Sequence, residues 1–435
     1  MLHTPNHDYR ILDAQGAADY LAAHPALAAH LGGTPGEWTC RDVADGNLNS
    51  VFLIDGPQGG LCVKQSLPYV RVFGEGWPMD INRARFEHAY ASRVAPHVGT
   101  LAPRIHHFDE TQFITVMEKL EPHIILRNAM LAGRRLPRAV ADVAEYAART
   151  AFHTSDLAVP FERKFADAGV FSGNLALQRI TVDLVFTDPY VESGRNRVLS
   201  PHLDAWAASL REDSALKAAV ARHRLAYLSK AQSVLHGDLH TGSVMVTPDD
   251  TRIIDGEFAL LGPTGFDTGT FIAHYVMAWF ARSAHEGSSQ ENASFRAALA
   301  DDIVEFWNVF ATRFIHLWQE WDGENDGTPR THFTSGTDRQ ALDAFRRSYV
   351  DEILADTVAF MGVEIIRRII GFAQLADFTT IADEPARARA MAGALSFART
   401  VLLNPGRFRD VATLVGALLE HERADAGDPQ ATGNV

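Results

Sequence analysis

Two acidic motifs in the middle of the chain constrain its fold more than any other feature of the sequence. One apolar run leads into a His-Gly-Asp motif that ends at Asp238, and a later run leads into an Asp-Gly-Glu motif with carboxylates at Asp255 and Glu257. Between the motifs, Pro-Asp-Asp at residues 248–250 is typical of a turn. We therefore expect a β-hairpin that brings the three carboxylates to one end of a small sheet.

Carboxylates in this order suit phosphoryl transfer from a nucleotide. One carboxylate would position and deprotonate an acceptor hydroxyl, and the others would hold Mg²⁺ against the phosphates. We interpret Asp238 as the general base. Asp255 and Glu257 would be the metal ligands, because Mg²⁺ usually takes one or two carboxylates plus phosphate oxygens. A turn at Gly256 would direct both of them inward.

The two histidines beside Asp238 leave a second interpretation open. His236 and His240 flank the aspartate in a His-x-Asp-x-His pattern, which offers three possible ligands to a metal ion. A metal hydrolase built on these ligands would give no role to the turn and the lysine in the first part of the chain. We therefore prefer to interpret His236 as a structural residue that braces the loop.

A turn and a lysine near the start of the chain have the characteristics of a nucleotide site. The turn, Asp-Gly-Asn-Leu-Asn at residues 45–49, contains a glycine that lets backbone amides approach a phosphate, and Asn47 and Asn49 add side-chain donors. Lys64 ends the apolar run at residues 61–63 and resembles the kinase lysine that holds the α- and β-phosphates. Taken singly, these features are also typical of an ordinary hairpin with an edge lysine.

The nucleotide site would need a carboxylate beside the lysine and a linker beside the adenine base. We expect Glu87, on a predicted helix over residues 80–95, to orient the lysine. Glu118, Lys119 and Leu120 follow a predicted strand and precede the helical part of the chain. Backbone groups of such a hinge could bind the edge of adenine, although on composition alone these residues form only a linker.

Arg367 and Arg368 lie side by side in a largely apolar predicted helix over residues 358–375. Adjacent helical residues point about 100° apart, so at least one of the two arginines would face inward or into a cleft. An inward arginine needs a carboxylate or phosphate partner. The pair would stabilise charge on the transferred phosphoryl group, or it would form a structural salt bridge to a carboxylate.

The pattern of apolar residues divides the chain into two lobes and a tail. Strand signals with one long helix dominate residues 1–120, helical periodicity dominates residues 121–425, and residues 426–435 are polar and expected to be flexible. The expected fold class is α+β, with a small N-terminal β-sheet lobe and a large, mainly helical C-terminal lobe. Strands at residues 51–54 and 61–63 should form a hairpin. Helices are expected at residues 16–31, 80–95, 138–153, 214–228, 268–283, 293–320, 339–376, 384–402 and 407–422.

Composition limits the class of partner. The net charge of −14 argues against a protein that binds nucleic acid through a general basic surface, and it favours a small ligand. Cys40 and Cys62 are too few for a disulfide framework, so we expect a cytoplasmic protein. The first residues lack a basic region followed by an apolar run, and no apolar segment is long enough to span a bilayer. Neither a signal peptide nor a membrane span is therefore expected.

Together these motifs resemble the 5-methylthioribose kinases of bacteria and plants, over roughly residues 35–405. Two features of this sequence resemble that family and distinguish it from related families. One is the Asp-x-Glu form of the metal motif, and the other is the tryptophan-bearing loop around Trp77. The segments that carry the resemblance are residues 45–49, 64–71, 74–78, 236–243, 255–258, 262–267 and 367–368.

The resemblance implies a two-lobed, protein-kinase-like fold, related to aminoglycoside and choline kinases, that uses ATP and Mg²⁺. The substrate would be a small sugar, 5-methylthioribose, phosphorylated on its 1-hydroxyl in methionine salvage, and the assembly would be a homodimer. Asp238 would accept the hydroxyl proton. The residues facing ATP would be Asn47, Lys64, Glu118, Lys119, Leu120, Asp255, Gly256 and Glu257, with Asp255 and Glu257 on the metal. The residues facing the substrate would be Trp77, Asp238, Arg367 and Arg368.

The sequence departs from the family at three positions. Gly256 stands where proline is common, Gly76 stands where serine is common beside the tryptophan, and Ser243 stands where wider relatives place a metal-binding asparagine. None of these changes removes a charge that the chemistry needs. They leave the substrate less defined than the reaction, so another kinase of this fold that acts on choline, homoserine or an aminoglycoside stays an alternative. A scaffold that binds ATP without turnover is a further alternative, against which Lys64, Asp238, Asp255 and Glu257 argue together.

Overall fold

The computed structural model describes residues 7–43, 48–71, 74–323 and 325–425. Asn47, with the rest of the turn that precedes Leu48, and the tail at residues 426–435 lie outside the described residues. Within the described ranges, no helix is both long and apolar enough to cross a bilayer. Cys40 and Cys62 are both free thiols.

The described residues of the first lobe form seven strands. Five of them make one antiparallel sheet in the order β1-β2-β3-β7-β6, while β4 and β5 pair with each other. The expected hairpin is confirmed, with Phe52 opposite Val63. Alternate side chains of these strands bury one face of the sheet, because successive residues of a strand point to opposite faces. The strands are β1 (Thr39–Asp42), β2 (Asn49–Gly56), β3 (Gly59–Ser66), β4 (Tyr69–Val70), β5 (Gly74–Pro78), β6 (Ile105–Asp109) and β7 (Ile114–Glu118).

Two helices cover the buried face of this sheet where the sequence predicted one. α1 (Ala14–Ala22) and α2 (Pro25–Leu31) replace the single helix expected over residues 16–31. Pro25 lacks the N–H of a helical hydrogen bond and forces His24, with φ −115° and ψ 92°, out of the helical region. Pro25 itself begins α2, a position at which its missing N–H is not needed.

The helix α3 (Arg83–Val98) connects the two lobes. On one side it packs against β3 and β7, and on the other side it packs against the turn that follows Asp255. Its N-terminus carries Arg83 and its second turn carries Glu87, both of which are buried. A single rigid element therefore presents an arginine and a carboxylate to the region between the lobes.

The second lobe is mainly helical, as expected. The helix α10 lies at its centre and is buried along residues 265–281, packed against α11, α12 and α14. The helix predicted at residues 339–376 ends earlier, at Ile370, because Gly371 is extended with φ −85° and ψ −162°. Helices α4, α6, α7 and α8 were not predicted. The helices are α4 (Leu126–Leu131), α5 (Pro137–His153), α6 (Phe161–Phe171), α7 (Leu175–Phe186), α8 (Asp204–Glu212), α9 (Ser214–Ser229), α10 (Gly265–Arg282), α11 (Ser289–Glu320), α12 (Gly336–Ile370), α13 (Ala376–Thr379), α14 (Glu384–Leu403) and α15 (Val411–Asp425).

The hairpin expected in the middle of the chain is confirmed. Val244 lies opposite Ile253 in an antiparallel pair of strands, β10 and β11. The His-Gly-Asp loop follows β9, which pairs with β12, and the Asp-Gly-Glu turn follows β11. The lobe boundary at residue 120 stays a prediction; it falls between the last strand of the sheet and α4. The short strands are β8 (Ile124–Ile125), β9 (Ser233–Leu235), β10 (Val244–Val246), β11 (Thr251–Ile253) and β12 (Leu260–Gly262).

Candidate active site

Lys64 is the centre of an ion-pair group that joins the two lobes. Its Nζ lies 2.7 Å from Oε1 of Glu87, which confirms the partner expected from the sequence, and it also contacts the carboxylate of Asp255. Burial alone would lower the pKa of Lys64, but Asp255 and Glu87 outweigh burial and raise this pKa, so the lysine stays charged. Burial also raises the pKa of Glu87 to about 7. The group places one buried cation between carboxylates from α3 and from the second lobe.

Asp255 presents its carboxylate from a left-handed turn. Its φ is 75° and its ψ is 42°, and its side chain is 49% exposed. The turn expected at Gly256 is the 3₁₀ turn Gly256–Phe258, and the left-handed conformation belongs to Asp255, which precedes it. Gly256 is required by close packing instead, because a Cβ at this position would come within 2.5 Å of the ring of Tyr90. Burial would raise the pKa of Asp255, but Lys64 outweighs it and lowers this pKa.

Glu257 is held from the N-terminal lobe by an arginine and an asparagine. Nε of Arg83 and Nδ2 of Asn49 each donate to Oε2 of Glu257 at 3.1 Å. Asn49 is itself buried, so its side chain serves Glu257 instead of a phosphate. Burial raises the pKa of Glu257, which Lys64 opposes. Sequence spacing gave no sign of Arg83, because it lies more than 170 residues from its partner.

Asp255 and Glu257 offer oxygens that fit Mg²⁺. The two hydrogen bonds that described residues donate to the carboxylate of Glu257 both end on Oε2, so Oε1 can face a cation, and the carboxylate of Asp255 is half exposed. Mg²⁺ commonly completes its shell with waters and phosphate oxygens, so two carboxylates suffice. Among the described residues, no group of three or more His, Cys, Asp and Glu side chains could hold a metal by itself.

His236 braces the catalytic loop, as the preferred interpretation expected. The backbone N–H groups of His236 and Gly237 donate to the two carboxylate oxygens of Asp267 at 2.7 and 2.9 Å. Ring Nε2 of His236 donates to the carbonyl of Ile254 at 2.8 Å, and ring Nδ1 accepts from the backbone N–H of Asp238 at 3.4 Å. Both ring nitrogens are therefore used inside the protein, and the metal-hydrolase interpretation is wrong for this residue.

We expect Gly237→Ala to destabilise the protein. Gly237 has a φ of 81°, and a Cβ there would lie 2.2 Å from the carbonyl oxygen of Phe258. The left-handed conformation costs alanine roughly 1–2 kcal/mol, and relief of the close contact adds to this. Thermal unfolding should show a Tm lowered by several degrees. Gly169→Ala is the matched control, because it lies on α6 with open space around it, and an equal Tm for the two variants would contradict the argument.

Asp238 lies between His240 and the arginine pair. Nε2 of His240 is 3.3 Å from Oδ2, and Nη2 of Arg368 is 3.7 Å from Oδ1. Burial alone would raise the pKa of Asp238, but His240 and then Arg368 outweigh burial and hold this pKa well below its ordinary value. The side chain is 28% exposed. An ionised and partly accessible carboxylate is suited to receive a proton from a bound hydroxyl.

Arg367 and Arg368 share one buried carboxylate. Oε1 of Glu364 accepts from Nη1 of Arg367 at 2.9 Å and from Nε of Arg368 at 2.6 Å. Burial would raise the pKa of Glu364, but the two arginines outweigh it and lower this pKa. The expected structural salt bridge therefore exists. The two arginines also lie beside Asp238, where they would stabilise a further anionic group.

Trp77 lies near the end of α12 that bears the arginines. Its ring is half-buried in β5, and its centroid is 5.4 Å from that of Phe372, which follows Arg368 by four residues. The expected position of the tryptophan loop beside the substrate residues is therefore compatible with the fold. Its role stays a prediction.

Glu118 and Lys119, two of the predicted hinge residues, already have partners within the protein. The backbone N–H of Glu118 donates to the carbonyl of Arg104 at 2.8 Å, and its carboxylate pairs with Arg252. Nζ of Lys119 lies 2.6 Å from the carboxylate of Asp55. Since the backbone N–H of Glu118 is occupied, this residue could contact adenine only through its carbonyl, and the hinge role of Glu118, Lys119 and Leu120 stays a prediction.

The sheet lobe supplies a buried lysine, and the helical lobe supplies an aspartate loop and a turn that could bind a metal. This arrangement is suited to phosphoryl transfer from a nucleotide. The sequence agrees with this class of protein. Residues 39–302 match the phosphotransferase enzyme family.

Full-length relatives narrow the class. The chain is 35% identical over 408 residues to the methylthioribose kinase of Escherichia coli O45:K1 (strain S88 / ExPEC), which covers 94% of this chain and 97% of that protein. It is 36% identical to methylthioribose kinase 1 of Oryza sativa subsp. japonica, over 94% of each chain. It is also 36% identical to the methylthioribose kinase of Geobacillus kaustophilus (strain HTA426), over 87% of this chain and 90% of that protein. The chain therefore belongs to the methylthioribose kinase family, within the phosphotransferases of the two-lobed kinase-like fold.

Proposed function

We propose that this chain transfers the γ-phosphoryl group of ATP to the 1-hydroxyl of 5-methylthioribose, a step of methionine salvage. The observation that carries the proposal is the setting of Asp238. It is an ionised, partly exposed carboxylate, it lies beside a pair of arginines, and it belongs to a chain that resembles methylthioribose kinases along almost its whole length.

On the nucleotide side, Lys64 would hold the α- and β-phosphates, with Glu87 keeping the lysine in place. The backbone of Glu118, Lys119 and Leu120 would contact adenine. Asn47 is proposed as a further ATP contact on the resemblance alone, since it lies outside the described residues.

On the acceptor side, Asp238 would orient the sugar hydroxyl and accept its proton as the new P–O bond forms. Arg367 and Arg368 would stabilise the negative charge on the phosphoryl group during transfer. Trp77 would lie against the sugar. Positioning and electrostatics would supply most of the rate enhancement, as they do in phosphoryl transfer generally.

Asp255 and Glu257 would hold Mg²⁺, with Gly256 placed between them. Bound Mg²⁺ would offset the charge that develops on the phosphates. Oε1 of Glu257, which can face a cation, and the half-exposed carboxylate of Asp255 support this proposal. Ser243 is not needed as a ligand, because its hydroxyl donates to the backbone carbonyl of Asp238 at 2.8 Å.

Glu257→Gln should weaken the dependence on Mg²⁺. We expect the Mg²⁺ concentration for half-maximal rate to rise by at least about tenfold, because loss of one ligand charge weakens a site of few protein ligands. A magnesium titration of the initial rate measures this. Glu320→Gln, on the exposed side of α11, is the matched control. An unchanged titration with a lowered Tm would mean that Glu257 only anchors Arg83.

An ADP-release assay with MgATP and a panel of acceptors tests the proposed reaction. The panel is 5-methylthioribose, ribose, choline, homoserine and an aminoglycoside. We expect strong turnover with 5-methylthioribose alone. Turnover with only another acceptor would show that the reaction is correct but that the proposed substrate is wrong. ATP binding without turnover on any acceptor would support a scaffold that binds ATP without catalysis.

We further propose a homodimer in the cytoplasm. The dimer is supported only by the resemblance to the family. The cytoplasmic setting is supported by the two free thiols, which suit a reducing compartment. Analytical ultracentrifugation would test the assembly, with a single species at twice the chain mass as the expected result.

A further inference from the structure

Of the two histidines in the central motif, His236 braces the loop, whereas His240 has been given no role. Its side chain is largely buried, and its Nε2 lies 3.3 Å from Oδ2 of Asp238. We propose that His240 is a positioning residue that fixes the carboxylate of Asp238, and that Arg127 together with the amide of Gly242 sets the tautomer in which it does so. This inference rests on the proposed function of Asp238 as the base.

The partners of Nδ1 determine where the ring proton of His240 lies. The backbone N–H of Gly242 donates to Nδ1 at 2.9 Å, and the hydroxyl of Ser243 and Nη2 of Arg127 lie 3.2 and 3.5 Å from the same atom. A hydroxyl can donate or accept, so it does not decide the tautomer. An amide N–H and a guanidinium can only donate, so Nδ1 must be the acceptor. The single proton of the neutral ring is then on Nε2, the nitrogen that faces Asp238.

A second histidine keeps the plane of the His240 ring in place. His274 of α10 is buried and stacks on His240, with centroids 4.7 Å apart and planes at 22°. Its Nδ1 lies 3.2 Å from Nη2 of Arg127, so the same guanidinium group donates to both rings. Its Nε2 faces Oε1 of Glu364 at 3.6 Å. Arg127 thus gives the two stacked rings the same tautomer, and each ring faces a carboxylate.

The packing around His240 leaves little room for another orientation. A Cβ at Gly242 would lie 2.7 Å from Cε1 of His240 and 2.9 Å from Nη2 of Arg127. The ring is therefore confined between the backbone at 242 and the face of His274. A donor confined in this way can hold its acceptor in one place.

Fixing one oxygen of Asp238 decides which oxygen reacts. Oδ2 faces the N–H of His240, whereas Oδ1 lies 3.7 Å from Arg368, beyond hydrogen-bonding distance. Oδ1 is therefore the oxygen left to accept the proton of the sugar hydroxyl. His240 would act through Asp238 and would touch neither the sugar nor the phosphates.

Two substitutions separate this role from that of a loop brace. In His240→Gln, the side-chain amide reaches the place of Nε2 and can still donate to Asp238, but the acceptor for Gly242 is lost. In His240→Asn, the shorter side chain can still accept from Gly242, but it does not reach Asp238. His316→Gln, at an exposed position of α11, is the control for loss of a histidine elsewhere.

We expect His240→Asn to lower kcat by about 10- to 100-fold, since misplacing a reacting group by about 1 Å can cost on the order of 10²-fold. KM for MgATP and for the acceptor should change little. His240→Gln should retain most of kcat. Steady-state kinetics of the two variants and the control, with Tm measured for each, provide the comparison.

The reverse order, with His240→Asn active and His240→Gln impaired, would overturn the inference and make His240 a loop brace. Equal effects of the two substitutions would also overturn it. A raised KM for MgATP at unchanged kcat would place His240 on the nucleotide instead. Wild-type protein is assayed alongside with the whole acceptor panel, so a different preferred acceptor would revise the proposed substrate without bearing on His240.

Discussion

Replacing Asp238 with alanine should lower kcat by at least about 10²-fold, the lower range for the loss of a general base. The carboxylate is ionised and partly exposed, and it lies at the boundary of the lobes beside the arginine pair. Without it, the sugar hydroxyl would have neither an acceptor for its proton nor a group to orient it. Steady-state kinetics with MgATP and 5-methylthioribose would measure the loss, while KM for MgATP should stay close to the wild-type value.

The isosteric Asp238→Asn variant separates charge from shape. It should lose as much of kcat as the alanine variant, because an amide cannot accept the proton under these conditions. Asp249→Asn makes the same chemical change on the exposed turn of the hairpin and should leave the rate unaltered. Near-normal turnover by either variant would show that Asp238 is not the general base.

Lys64→Ala should lower kcat/KM for MgATP by about 10²-fold, the effect of removing one charged donor from a preorganised site. The variant should nevertheless fold. Burial already raises the pKa of Glu87 to about 7, so this group can take up a proton when its partner is lost. Asp255 is half exposed and can be solvated. The expected defect is therefore mainly in nucleotide binding and positioning.

Glu87→Gln tests how much of the effect of Lys64 depends on its ion pair with Glu87. It keeps the contact of Lys64 with Asp255, so its loss of kcat/KM should be smaller than that of Lys64→Ala. Lys217→Ala, on the exposed side of α9, is the control for loss of a lysine. If Lys64→Ala bound and used MgATP normally, Lys64 would be only a structural cation between the lobes.

Local patterns in the sequence were sufficient to predict the parts of the site that lie near each other in the chain. The hairpin between the two acidic motifs follows from alternating apolar residues and a turn. The pairing of Lys64 with Glu87 follows from a strand and a neighbouring helix. Both predictions needed only contacts between adjacent elements, whose geometry is fixed by the period of the strand or helix.

Contacts between distant segments could not be predicted in the same way. Arg83 binds Glu257 and Arg127 binds two histidines, yet neither arginine carries a local pattern that indicates its partner. Their roles depend on how the lobes and the helices pack. The division of the predicted helix at Pro25, in contrast, could have been predicted from the sequence. The effect of a proline on the preceding residue, here His24, follows from backbone sterics.

The identity of the reaction product tests the central claim most directly. The protein would be incubated with MgATP and 5-methylthioribose, and the product would be examined by ³¹P and ¹H NMR. The account predicts one phosphate ester per ADP released, with phosphorus coupled to the anomeric proton, as a 1-phosphate requires. Phosphate on another hydroxyl, or ADP release without a phosphorylated sugar, would contradict it.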